Sequence, residues 1–114
     1  MKRTITASAI AAGLVLAAAA ASRAQNAVPI HDTFYFIGEI NKASIVMLAE
    51  TGIVPRPLAG RIAKGIRAAI DSQAAPGSPR PTDYFDFEPM VIAAAGPDAS
   101  RMHTGRSRQD IEST

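Results

Sequence analysis

The sequence predicts an all-α domain behind a short leader, and three observations carry the prediction. Apolar residues recur at three- and four-residue spacing in three separate segments, the period of a helix. Each segment stops at a breaker: Thr51-Gly52, the run from Ala75 to Pro81, or Gly96-Pro97. No strand pattern competes with the helical one.

The N-terminus is set apart first. Lys2 and Arg3 form a positive n-region, and Ile5 to Ala21 is apolar or small, without charge. Ser22-Arg23-Ala24 then puts small residues at both key positions of a cleavage site before Gln25. This is the secretory pattern, and the run is short and alanine-rich for a permanent span. A retained anchor is the competing reading. The expected division is a signal peptide over residues 1–24 and one helical domain over residues 25–114. The expected location is outside the cytoplasm, in the periplasm, with no stable membrane span after cleavage.

Processing changes the charge. Of the 12 basic residues, Lys2, Arg3 and Arg23 belong to the signal, which leaves 9 against 10 acidic ones. A nucleic-acid partner calls for a basic face and stacking aromatics, whereas in the mature part the charges are mixed and aromatics are sparse. With no cysteine there is no lipobox, disulfide or thiolate metal site. His31 and His103 lack ligand spacing, so no metal or organic cofactor is expected.

The first helix is expected from about Asp32 to Glu50, with Ile37, Ile40, Ala43/Ser44 and Met47/Leu48 on one face. Ile53 to Pro57 connects it to a second, about Leu58 to Gln73, and Pro57 suits a first turn. There Leu58, Ile62, Ile66 and Ile70 form a stripe beside Ala59, Ala63 and Ala69, while Arg61, Lys64, Arg67 and Asp71 fall opposite. Thr82 is expected to cap the third helix, with Asp83 and Asp86 in its positive first turn. Its apolar face is Tyr84, Phe87, Val91 and Ala94/Ala95. Ninety residues from Gln25 to Thr114 suffice for one small domain.

The chemistry gathers near the end, in His103-Thr104-Gly105-Arg106-Ser107-Arg108-Gln109-Asp110. Ser107 with Asp110 three residues on reads as a capping box, with Asp in place of Glu. Arg108 and Gln109 then fall in a first helical turn, and Gly105 lets the backbone come close. Arginine grips a carboxylate in bidentate fashion, so the segment suits an anionic ligand. The plainer reading is a surface loop whose arginines pair with Asp98 or Asp110. Ile111 to Thr114 begins a helix whose apolar face looks unmade.

Met102 to Asp110 closely resembles the argininosuccinate lyase signature, usually written LHTGRSRND. Lys42-Ala43, Met47 to Val54, Glu88 and Gly96 are similar to the same family at matching distances. That family belongs to the fumarase/aspartase superfamily, and the likeness extends over about residues 33–114. It implies the N-terminal helical domain of a C–N lyase, incomplete before the central bundle, homotetrameric at full length and free of cofactors. Its chemistry eliminates an amine or guanidino group from an N-substituted aspartate and releases fumarate. A base takes the proton beside a carboxylate, and donors stabilise the aci-carboxylate that forms.

By that resemblance Ser107, Arg108 and Gln109 hold the succinyl carboxylates. Thr104 adds a hydroxyl, and Asn41 and Tyr84 line the pocket. His103 supports the site from behind. Gln109 stands where the family has asparagine, Tyr84 where it commonly has histidine, and Asn41 where serine is common. These departures point to a substrate other than argininosuccinate. The family's Gly-Ser-Ser-x-Met-Pro loop and Thr-His pair are absent from these residues, so no catalytic residue is assigned and the 114-residue chain is expected to be inactive alone. The alternative is a small exported helical module that binds a carboxylate or a partner without catalysis.

Overall fold

A computed structural model describes residues 30–113; the expected signal peptide and its cleavage point lie outside them. Among the described residues the regular structure is entirely helical. It comprises α1 (Thr33–Glu50), α2 (Arg56–Ser72), α3 (Tyr84–Ala95), a 3-10 helix (Pro97–His103) and α4 (Gln109–Glu112). None of these helices is long and apolar enough to cross a membrane.

Asp32 starts α1: in extended conformation, it accepts the Tyr35 N–H at 2.9 Å. The buried face runs Phe34, Ile37, Asn41, Ile45 and Leu48. This corrects the expected stripe. Met47 is 45% exposed and Ala43 is also exposed, while Ile40 is only partly buried. The stripe turns away from them because polar Asn41 lies inside it, fully buried, donating to the Ile37 carbonyl at 2.8 Å. Thr51 closes the helix by donating its hydroxyl to Met47 O at 2.8 Å.

α2 begins two residues before the expected Leu58. Pro55 and Pro57 flank Arg56, and proline is tolerated where first-turn N–H groups have no intrahelical acceptor. Leu58, Ala59, Ile62, Ile66 and Ala69 are buried as the stripe predicted; Ala63 faces solvent and Ile70 is half-buried. Gly65 faces α3, and a Cβ there would stand 2.7 Å from Ala95 Cβ and 3.1 Å from Val91 O. The glycine lets two helix backbones meet, and α2 packs most extensively on α3.

Asp83, not Thr82, caps α3, accepting the Phe85 N–H at 2.6 Å. The carboxylate is the stronger acceptor, and Thr82 is left exposed one residue outside. Tyr84, Phe87 and Val91 are buried as expected, joined by Glu88; Ala94 is exposed. Phe34 and Phe87 meet edge-on, centroids 5.7 Å apart, joining α1 to α3. The 3-10 helix was not foreseen. It touches all three long helices and buries Ala99, Met102 and His103. Ile111 corrects another expectation: only 4% exposed, it joins the core cluster rather than lacking a partner.

The α2–α3 loop is tied back to α1. Arg80 donates from Nε and Nη2 to Asp32 at 2.6 and 2.7 Å, and its guanidinium lies 4.9 Å from the Phe34 ring centroid. Arg80 has φ +45°, a left-handed conformation that L residues seldom adopt. Its N–H donates to Gln73 Oε1 at 3.0 Å, so the contacts on both sides hold the strained turn.

Candidate functional site

The segment between the 3-10 helix and α4 is shaped by its own hydrogen bonds. Thr104 donates its hydroxyl to Arg101 O at 2.7 Å. Gly105 turns the chain at φ +86°, with open space where a Cβ would stand. The glycine therefore serves the turn rather than a close approach. Ser107 and Asp110 form the capping box in both directions: Ser107 N–H donates to Asp110 Oδ2 at 2.8 Å, and Asp110 N–H to Ser107 Oγ at 3.3 Å.

The two arginines diverge. Arg106 turns inward, donating from Nη2 to Asn41 Oδ1 at 2.7 Å, and its Nε is buried without a partner. Burial presses its pKa below the ordinary value, against the pull of Tyr84 and Asp110. Arg108 stays at the surface, its side chain 43% exposed, but grips Glu88 from Nε and Nη2 at 2.6 and 2.8 Å. The plainer reading of the loop expected Asp98 or Asp110 as partners. Glu88 takes Arg108 instead, and it lies far closer to the core, only 6% exposed.

Glu88 belongs to a buried polar group. The Tyr84 hydroxyl hydrogen-bonds His103 Nε2, and that nitrogen lies 3.4 Å from Glu88 Oε1. Arg108 holds the Glu88 carboxyl below the usual range, outweighing burial. Burial pushes the His103 pKa down to about 4, against the attraction of Glu88 and with help from Arg106 and Arg108. His103 is thus neutral at pH 7, and its approach to Glu88 is no ion pair. Burial also pushes the Tyr84 hydroxyl up, and the Glu88 charge adds to this. His103 Nδ1 has no hydrogen-bond partner.

Of the residues expected to touch a ligand, Thr104, Ser107, Arg108 and Gln109 come together on one exposed turn. Asn41 and Tyr84 lie beneath it with no exposed surface, reaching the turn through Arg106 and His103. Glu88 was noted in the sequence only for its position. A stronger signal was present: it follows Tyr84 by four residues, on the apolar face of its helix. A carboxylate in such a stripe requires a buried partner. Among the described residues no group of three or more metal-ligating side chains exists.

The chain is 36% identical over 72 residues to the argininosuccinate lyase of Haloarcula marismortui, a match that takes in 62% of this chain and 14% of that enzyme. The chain thus spans a small part of its relative's length. No family model matches the chain, and no solved structure matches it. The similarity shows a distant relationship to argininosuccinate lyase.

Proposed function

We propose that the chain is the N-terminal part of an exported, argininosuccinate lyase-like C–N lyase, homotetrameric at full length. It supplies part of the site that holds the succinyl carboxylates of an N-substituted aspartate, and fumarate is the shared product. The observation that carries this reading is the Thr104–Gln109 turn, where a half-exposed arginine stands beside Ser107, Gln109 and Thr104. Arg108 offers fixed, planar donors to a carboxylate, Ser107 and Thr104 offer hydroxyls, and Gln109 offers an amide that both donates and accepts. Asn41 and Tyr84 serve the site from beneath, by orienting Arg106 and His103.

The chemistry such donors serve is the build-up of negative charge on a carboxylate whose neighbouring carbon loses a proton. None of these residues is assigned as the base or the acid, so turnover by the chain alone is not expected. Titration of the chain with succinate, followed residue by residue by NMR, tests the binding half. Shifts confined to Thr104, Ser107, Arg108 and Gln109, at a dissociation constant on the order of millimolar, support the reading. Shifts spread over the molecule, or none at all, end it.

A second reading has its own support in buried Ile111, which docks the motif onto the described core. In it the chain is a small exported module that binds a carboxylate without catalysis. Supplying the chain with the remaining domains of a lyase and assaying fumarate release separates the two. Release favours the lyase, and binding without release favours the module.

A further inference from the structure

We propose that Glu88 is a positioning residue that pins the Arg108 guanidinium by its Nε–Nη2 side, so that a ligand carboxylate is received on the opposite, Nη1-bearing edge. The inference rests on reading the Thr104–Gln109 turn as a carboxylate site, and adds how that site is aimed.

A guanidinium carries five N–H donors in one rigid plane. Glu88 takes one from Nε at 2.6 Å and one from Nη2 at 2.8 Å, the geometry of a side-on bidentate pair. The end-on edge remains, with both hydrogens of Nη1 and the second of Nη2. Two of those hydrogens run parallel and match a second carboxylate. Arg108 can therefore hold Glu88 and a ligand together, one on each edge.

The competing idea is that Glu88 blocks the arginine and a ligand must displace it. Burial decides between them. Glu88 is 6% exposed and sits on the apolar stripe of α3 with Tyr84, Phe87 and Val91. Its other polar neighbour, His103, is neutral at pH 7 and lies 3.4 Å from Oε1. If Arg108 left, a desolvated carboxylate would remain without a permanent counter-charge, a severe penalty. A ligand carboxylate on the half-exposed Arg108 gains far less, because water competes for the same donors. The buried pair persists and the ligand takes the open edge.

The test compares the native chain with Glu88→Gln and Glu88→Asp, each titrated with succinate by NMR. In the native chain the Arg108 Nε–H signal should exchange slowly with water and stay in place as succinate binds. Both substitutions should weaken succinate about tenfold, as loss of an orienting partner does, while the remaining amide signals keep their dispersion. The sign is what discriminates: removing a negative charge beside an anion site strengthens binding if Glu88 only competes or repels. Unchanged or tighter binding by Glu88→Gln overturns the inference and leaves the proposed site standing, as does a native Nε–H signal that moves with succinate. Should Glu88→Gln fail to fold, Glu88→Asp decides, since it keeps the charge and withdraws it by one methylene. Native chain that binds no succinate overturns both this inference and the site.

Discussion

Two arginines in this molecule grip carboxylates with nearly the same geometry and do different work. Arg80 holds Asp32 at 2.6 and 2.7 Å, and Arg108 holds Glu88 at 2.6 and 2.8 Å. At the first pair both side chains are partly exposed, 22% and 34%; at the second the arginine is 43% exposed and its carboxylate 8%. Asp32 also caps α1, so water and a backbone N–H share its charge. Glu88 has apolar neighbours and a neutral histidine. Geometry therefore says little about what a pair is worth; burial of the carboxylate says more.

Removing one partner at a time should expose that difference most sharply. Arg108→Leu strands a buried carboxylate and should lower stability by roughly 3 kcal/mol. Arg80→Leu should cost about 1 kcal/mol or less, because solvent screens the Asp32 pair. Urea midpoints of the two variants decide the matter, and equal losses would refute the contrast.

Acid should find the two ends of the molecule at different pH. The folded-state pKa of His103 is depressed, from 6.5 to about 4, so below 6.5 the unfolded chain binds the proton first. Stability that is complete above pH 6.5 is lost as pH falls towards 4, by about 2 to 3 kcal/mol. Tyr84, Glu88, Arg106 and Arg108 are the charged or titratable groups that act on this ring. Asp32 is also depressed, from 3.8 to about 2, so its contribution is present above 3.8 and lost only below it. Thermal melts across this range should show the first loss and not the second in the native chain between pH 6.5 and 4. His103→Gln should flatten that segment of the curve.

A smaller effect separates helix packing from pairing. Gly65→Ala puts a Cβ 2.7 Å from Ala95 Cβ, and the helix carrying Glu88 must shift to accept it. The expected loss is about 1 to 2 kcal/mol, read by denaturation, with both ion pairs chemically intact. Smallest of all is Asp32→Asn, which keeps a capping oxygen and removes only a screened charge. It should shift stability by under about 1 kcal/mol, whereas Asp32→Ala should lose the cap as well.

Much of the helical frame was legible because period and breakers are local signals. α1 was expected to end at Glu50 and does, and the glycine-proline pair after Ala95 stops α3 where expected. What was misread depended on partners distant in sequence. Asn41 is polar, which argues against a place on the apolar face, yet Arg106, 65 residues later, makes its burial possible. Arg80 carries no local signal in its proline-rich loop, because its meaning comes from Asp32, 48 residues earlier. Thr82 is the cap expected from its type, and Asp83 displaces it because its carboxylate is the stronger acceptor of the Phe85 N–H. At the candidate site, the Ser107–Asp110 box could be read from spacing alone. The inward turn of Arg106 could not, since neighbouring arginines carry no mark of which one the core will take.

The peg formed by Ile111 has a kinetic meaning. α4 is a single turn, far too short to persist by its own propensity, and it is held by one buried side chain and by the grip of Arg108 on α3. Such an element opens in a local fluctuation that leaves the three long helices closed. Amide protons of Gln109 to Ile111 should then exchange with solvent well before those of Ile62 or Val91. Such an opening withdraws Ile111 and leaves Arg108 on Glu88, so the ion pair is the hinge about which the turn moves, and a bound dicarboxylate would be felt first as a slowing of that exchange.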